Sequence, residues 1–341
     1  MATIQDVARA AGVGVGTVSR VLNDSPLVSE QTRARVQRII DEMGYRPSLL
    51  ARALSLGRSA SLAVIVPQFT RPSTVERLRG LADAVKDSDF DLVLFDVENP
   101  DQRDQRFEMA TRSDRAAGLV IVSLAAPDEI VERLTMASVP VVFLDRHVDG
   151  LPNVHIDDQA GGRLATEHLL TLGHRRIAFV GDDNSQGFGF TSSDDRRSGY
   201  RSALEAAGLP FDDRYIRVGP SSREDAHRLT AALLEMGEPP TAVFAASDLQ
   251  AFGVVEAARE RGLSVPGDLS VMGFDDIDAS VYLGLTTVSQ PLFDSGRIAA
   301  EMVLSLLAGE DAPGGIELPV ELVVRKTTGP AAAQIRTNPT S

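Results

Sequence analysis

The chain has 341 residues, no cysteine and a formal net charge of −14 at pH 7. Disulfides, thiolate metal sites and cysteine nucleophiles are therefore excluded, and no run of about 18 uncharged apolar residues is present to span a membrane. The charge is unevenly divided: residues 1–58 carry eight arginines against five acids, about +3, which leaves about −17 on the remainder. A basic end on an acidic body suits a protein that touches DNA with one end only, because the body's field repels phosphate.

Thr3 stands where an N-cap belongs, with Asp6 three residues on, so the first helix opens with a near capping box. Ile4, Val7, Ala8 and Ala11 recur at helical spacing and predict one buried face. Gly12 can take the positive φ that ends the helix. The second helix buries Val18, Val21 and Leu22, and its other side carries Val15, Gly16, Ser19, Arg20 and Asn23. Two helices joined by a Gly-containing turn, the second with a small and polar outward face, describe a helix-turn-helix. A third helix starts at Ser29, shows Val36, Ile39, Ile40 and Met43 as its apolar stripe, and stops at Gly44. Tyr45 to Leu54 is one more short helical segment, with Leu50 and Leu54 four apart on one face and Arg46 and Arg52 beside them.

Beyond residue 60 apolar runs alternate with polar helical stretches. Leu62–Val66, Leu92–Phe95, Leu119–Leu124 and Val141–Leu144 predict buried parallel strands. A second series follows at Ile177–Val180, Tyr215–Val218, Ala242–Ala245 and Leu269–Phe274. Two βα series in succession predict an α/β body of two doubly wound lobes. Ligands in such sheets sit beyond the carboxyl ends of the strands. That rule selects Gln68 and Phe69, Asp145 and Arg146, Ser247 and Asp248, and Asp275 and Asp276.

Several runs, in order and at consistent spacing, point to one family. They are Thr17-Val18-Ser19-Arg20-Val21-Leu22-Asn23, Tyr45 and Pro47, and Ala51-Arg52-Ala53-Leu54. Later come Val142 to Arg146, His168 to Ala178, Ser247-Asp248, Gly273-Phe274-Asp275-Asp276 and Gln290-Pro291. Over essentially its whole length the sequence resembles the lactose-repressor (LacI) family of bacterial transcription regulators. The resemblance implies a helix-turn-helix head over 1–46, a hinge helix and linker over 47–60, and a two-lobed body like the periplasmic binding proteins. Its N-terminal lobe is expected over 61–158 plus 291–319 and its C-terminal lobe over 159–290 plus 320–330, with 331–341 a disordered tail.

The residues expected to meet DNA are Thr3, Val15, Gly16, Thr17, Ser19, Arg20, Asn23, Leu50, Arg52 and Leu54. Leu54 is expected to wedge into the minor groove at the centre of a palindromic operator, in a segment too short to be stably helical alone. The resemblance places an effector between the lobes, with Phe69, Asp145, Phe190, Arg196, Ser247, Asp248, Asp275 and Gln290 expected to hold it. A guanidinium fork at Arg196 suits sugar hydroxyls or a carboxylate, although an arginine there could also be an ordinary surface residue at a helix start. Phe188 and Phe190 share a Gly-rich loop, and spacing does not say which of them points inward. A structural cap on the next helix is a real alternative for Asp276 and a weaker one for Asp275.

Two departures from the family pattern bear on readout. Gly14 replaces the usual serine cap of the recognition helix, and Gly16 presents no side chain, so base reading falls on Val15 and Arg20. The stretch Gly329–Ser341 has no leucine heptads, so a homodimer is expected rather than a zippered tetramer. Catalysis is not expected: His147, His155, His168, His174 and His227 lack metal-ligand spacing. Gly12, Gly14 and Gly16 do not follow a strand, which argues against a phosphate loop. The pairs Asp157-Asp158 and Asp275-Asp276 have no companion base or nucleophile. No cofactor or metal is expected, and no leader precedes the first cap, so a cytoplasmic, nucleoid-associated regulator is expected. The expected function is repression of carbohydrate-utilisation genes, switched by a small sugar or glycoside. Several carboxylates in the pocket favour a neutral, hydroxyl-rich ligand. A purine-type corepressor, a partner phosphoprotein and a solute-binding role are the alternatives.

Overall fold

The structure, a computed structural model, describes residues 2–22, 25–45, 61–110, 116–183 and 187–331. Its head contains helices α1 (Ile4–Ala11), α2 (Val15–Leu22) and α3 (Glu30–Met43). The capping box is complete: the Asp6 amide donates to Thr3 Oγ1 at 3.3 Å, and the Thr3 amide donates to the Asp6 carboxylate at 3.0 Å. Gly12 and Gly44 end α1 and α3 with φ of 64° and 57°, a conformation that costs glycine little. Val7, Ala8, Ala11, Val18, Val21, Val36, Ile40 and Tyr45 form one small core. Met43, expected on that stripe, is exposed instead, while Ile40 before it and Tyr45 after it are buried in the core.

The first sheet of the body contains β1 (Ser61–Pro67), β2 (Asp91–Val97), β3 (Gly118–Val122), β4 (Val141–Leu144), β5 (Asn153–Ile156) and β11 (Ile316–Leu318). The second contains β6 (Ile177–Asp182), β7 (Ile216–Gly219), β8 (Ala242–Ala245), β9 (Ser270–Asp275), β10 (Thr286–Ser289) and β12 (Glu321–Val323). Their strand orders are β11-β5-β4-β3-β1-β2 and β12-β10-β9-β8-β6-β7. Every pairing is parallel except that of β12 with β10. Helices cover both faces: α4 (Pro72–Val85), α5 (Pro100–Ala110), α6 (Asp128–Thr135) and α12 (Leu292–Leu307) on the first sheet. The second carries α7 (Asp158–Thr171), α8 (Ser192–Ala206), α9 (Arg223–Leu234), α10 (Asp248–Glu260) and the short α11 (Asp278–Leu283). The chain leaves the first sheet after Ile156, returns at Leu292 and crosses once more between Leu318 and Glu321.

Among the helix crossings in the body that depend on glycine, two set the positions of arginines. A Cβ at Gly80 would lie 1.9 Å from the Phe293 carbonyl oxygen, and one at Gly296 would lie 1.9 Å from that of Arg77. Helices α4 and α12 therefore pack backbone against backbone, which carries Arg77 to the start of α12. Gly162 and Gly199 do the same for α7 and α8, with Cβ approaches of 2.1 Å to the Arg196 carbonyl oxygen and 2.0 Å to that of Gln159. That contact sets Arg196 beside the start of α7. Any side chain larger than hydrogen at these positions would separate the helices.

Candidate functional site

Among the described residues, five other than glycine adopt positive φ: Gln68, Ser123, Asp145, Asp275 and Asp276, at 48°, 56°, 65°, 121° and 60°. All lie at the carboxyl ends of strands, and the first four line one cleft between the sheets. Backbone held in this region costs of order 1–3 kcal/mol per residue and persists where surrounding structure enforces it, commonly at binding sites. The cleft offers about 830 Å³ of atom-free space including its mouth.

A continuous chain of polar contacts crosses the cleft floor. Ser123 Oγ donates to Asp145 at 2.6 Å, and Arg77 donates to the same carboxylate. Arg77 also donates to Gln290 Oε1 at 2.9 Å, and Gln290 Nε2 donates to Asp275 at 2.6 Å. Arg196 lies 3.7 Å from Asp275, donates through Nε to Asp158 at 2.7 Å and through Nη1 to the Ala246 carbonyl at 2.5 Å. Its guanidinium stacks on Phe274 with 3.6 Å to the ring centroid, a strong cation–π arrangement. Burial pushes Asp158 up to about 6 against the pull of Arg196, and burial likewise raises Asp275 and Asp182. Fixed donors and acceptors of this kind suit a ligand bearing several hydroxyls.

Of the eight expected effector residues, Asp145, Phe190, Arg196, Ser247, Asp275 and Gln290 line the cleft. Phe190 stacks at 5.2 Å on Phe188, which is buried in the apolar core of the first lobe. The loop from the second lobe therefore inserts Phe188 into the first and leaves Phe190 facing the cleft, with the Ala125 amide donating to the Phe188 carbonyl at 3.3 Å.

Two of the expected residues do not line the cleft. Phe69 is outside the cleft and largely exposed: the Arg71 amide donates to the Gln68 carbonyl at 3.0 Å, closing a turn that points Phe69 to solvent. Asp248 is fully buried and faces away from the cleft. Its carboxylate accepts from the Ile277 amide at 3.0 Å, Ser280 Oγ at 2.7 Å and Thr287 Oγ1 at 2.6 Å, tying α11 and β10 to the start of α10. Asp276, for which a helix cap was the alternative, pairs instead with Arg325 at 2.6 Å.

Burial and the neighbouring Asp275 push Asp248 up to about 7. An aspartate in the unfolded chain titrates near 3.9, so the folded state holds this proton more tightly. The stabilisation is then full below about pH 4 and is lost as pH rises through about 7. The melting temperature should be higher near pH 5.5 than near pH 8, and Asp248→Asn should shrink that difference. An unchanged difference in the variant would assign the slope elsewhere.

Arg77 was not anticipated from sequence, although one signal was available. It lies on the buried stripe of α4 with Thr74 and Leu81, and an arginine on such a stripe needs buried acceptors.

On the head, Val15, Gly16 and Arg20 are exposed on α2, Thr17 and Ser19 are half-buried, and Thr3 caps α1. Asn23, Leu50, Arg52 and Leu54 lie outside the described residues. Residues 3–48 match the family model for bacterial regulatory proteins of the lacI family, and residues 166–328 match that for a periplasmic binding protein-like domain. Catabolite control protein A of Priestia megaterium is 32% identical over 331 residues, 96% of this chain and 99% of that protein. The chain belongs to the LacI family. Among solved structures this LacI-family regulator is similar to the lac repressor dimer bound to operator and the anti-inducer ONPF. That match has a TM-score of 0.84 and 28% identity, and it covers 96% of this chain and 99% of that one. It is also similar to a transcriptional regulator CelR–cellobiose complex, with a TM-score of 0.70, 31% identity, and 96% and 100% coverage. The head and the two-sheet body described above thus occur together in known DNA-binding regulators.

Proposed function

We propose that this LacI-family member is a homodimeric repressor of carbohydrate-utilisation genes, working in the cytoplasm on the nucleoid and switched by a sugar between the lobes. The observation that carries the reading is the polar chain Asp145–Arg77–Gln290–Asp275–Arg196, which spans both lobes and ends in a cleft walled by Phe190. A ligand held by both walls favours one closure of the lobes over another. The lobe nearer the head then changes the spacing of the two DNA-binding heads. The ligand shifts repression only by its differential affinity for the two states, and DNA must alter ligand affinity by the same factor.

Two exposed apolar patches support the dimer. Val93 and Leu94 lie on the edge strand β2, and Val281, Tyr282 and Leu283 lie on α11. Tyr282 is 87% exposed, so the patch on α11 is open to a second copy. The complementary elements of a second chain would cover both.

The test is a gel shift of the full-length protein on its own upstream region, with and without glucose, ribose and cellobiose. A retarded palindromic fragment whose complex is released or tightened by a sugar is the expected result. Failure to retard any palindromic fragment would overturn the reading, and so would a complex that responds to adenine or guanine but to no sugar.

A further inference from the structure

The second lobe reaches into the first through residues 187–190, Gly-Phe-Gly-Phe, which lie between β6 and α8. Phe188 is 2% exposed and belongs to a core in which every other buried residue lies between Ala63 and Leu151, in the first lobe. Three consecutive carbonyls of the loop are held from that lobe. Arg103 donates to Gly187 at 3.4 Å, the Ala125 amide to Phe188 at 3.3 Å, and Arg146 to Gly189 at 3.0 Å. These donors come from α5 and from the turns after β3 and β4.

The two glycines allow the approach. Both take positive φ, 72° at Gly187 and 71° at Gly189. A Cβ at Gly187 would lie 3.0 Å from Pro100 Cγ, and one at Gly189 would lie 2.6 Å from Ala125 Cβ. The loop backbone therefore lies flat on the first lobe, while Phe188 enters the core beneath it. Phe190 stacks on Phe188 with planes 23° apart and lines the cleft. One wall of the cleft thus belongs to the second lobe but takes its position from the first. Separating the lobes at this loop withdraws Phe188 into water and breaks all three hydrogen bonds.

We propose that residues 187–190 are an inter-lobe clasp: Phe188 anchors the second lobe in the first, holds the lobes closed without an effector, and sets Phe190 on the cleft. Phe188 is a positioning residue, acting on the effector through Phe190 and through closure. The proposal deepens the sugar-switched reading and rests on it only for what closure does to DNA binding. A sugar gripped by both walls meets a cleft already biased towards closure, so less of its binding energy is spent on closing the lobes.

The test compares the ligand-free full-length protein with Phe188→Ala, Gly189→Ala and Phe188→Leu. Gly189→Ala keeps Phe188 and drives the loop off Ala125, so it opens the clasp without deleting a core side chain and carries the test if Phe188→Ala fails to fold. Phe188→Leu keeps a large apolar plug. Hydrogen exchange resolved to single amides should show Ala125 exchanging about 5- to 50-fold faster in Phe188→Ala and Gly189→Ala, with Leu119 to Val122 of β3 still protected. Small-angle scattering should show a larger radius of gyration in the same two variants, and Phe188→Leu should lie near the natural protein in both measurements. Equal acceleration across β3 would make Phe188 a packing residue of the first lobe and overturn the clasp. Unchanged scattering in Gly189→Ala would overturn it too. Anisotropy on the operator, with and without glucose, ribose and cellobiose, tests the reading beneath it. Ligand-free operator affinity in Phe188→Ala should move opposite to the direction in which a bound sugar moves it. Opened lobes with unchanged operator affinity leave the clasp standing and overturn the coupling of closure to DNA.

Discussion

Asp275→Ala should abolish the effector response while leaving operator binding in the absence of ligand close to that of the natural protein. Asp275 is buried at the end of β9, held by Gln290 at 2.6 Å and facing Arg196 at 3.7 Å, with the cleft in front of it. A carboxylate accepting ligand hydroxyls contributes roughly 1.5–3 kcal/mol per charged hydrogen bond, so effector affinity should fall about 10- to 150-fold. The head is far away in sequence and has its own core, so ligand-free DNA binding need not change. The φ of 121° at this position is unfavourable for alanine. Asp275→Asn is therefore the companion variant, since asparagine tolerates such backbone better and keeps an oxygen for Gln290. It should show a smaller loss in effector affinity at nearly natural stability. Calorimetry with the sugar that releases the operator complex, beside anisotropy on the operator, gives both quantities. If Asp275→Ala loses operator affinity yet binds sugar normally, Asp275 is structural and the pocket assignment fails.

What the sequence revealed follows from burial. Strands covered on both faces have continuous apolar runs, so Leu62–Val66, Val141–Leu144 and Ala242–Ala245 could be read directly. The run Leu119–Leu124 outlasts its strand, because the positive φ at Ser123 turns the chain out of β3. Tyr215, at the start of another such run, belongs to a short 3₁₀ turn over Asp213–Tyr215. The strands β5, β10, β11 and β12 are three or four residues long and carry Asn153, Thr286 and Thr287, Glu317, and Glu321 respectively. Their pattern is set by pairing with neighbours already in place, not by their own periodicity.

The same logic separates the site residues. Asp145, Ser247 and Asp275 could be located by the rule that ligands bind beyond strand ends. That rule does not distinguish a carboxylate facing the cleft from one facing the interior, as the buried Asp248 beside Ser247 shows. Arg77 sits on a helix, where an arginine usually reads as solvated. Its significance appears only once the Gly80–Gly296 contact has brought α4 over the cleft.

Arg20→Ala should cost about 1–3 kcal/mol on the cognate half-site, about 5- to 150-fold in affinity, and relax the preference at one base pair. Arg20 is exposed on α2, and Val15 is 43% exposed on the same helix. Between them Gly16 presents nothing: a Cβ built there meets no atom within 4 Å. Of the exposed side chains on this part of the helix, Arg20 alone carries a fork of donors that matches guanine O6 and N7. Arg20→Lys is the sharper variant, because lysine keeps the charge and loses the fork. If Arg20 reads a base, lysine should restore non-specific binding and its salt dependence but not the lost base preference. Anisotropy on cognate and scrambled fragments at several salt concentrations resolves the two contributions. Equal losses on both fragments in Arg20→Ala, recovered in full by Arg20→Lys, would make Arg20 a phosphate contact and leave base reading to Val15 and its neighbours.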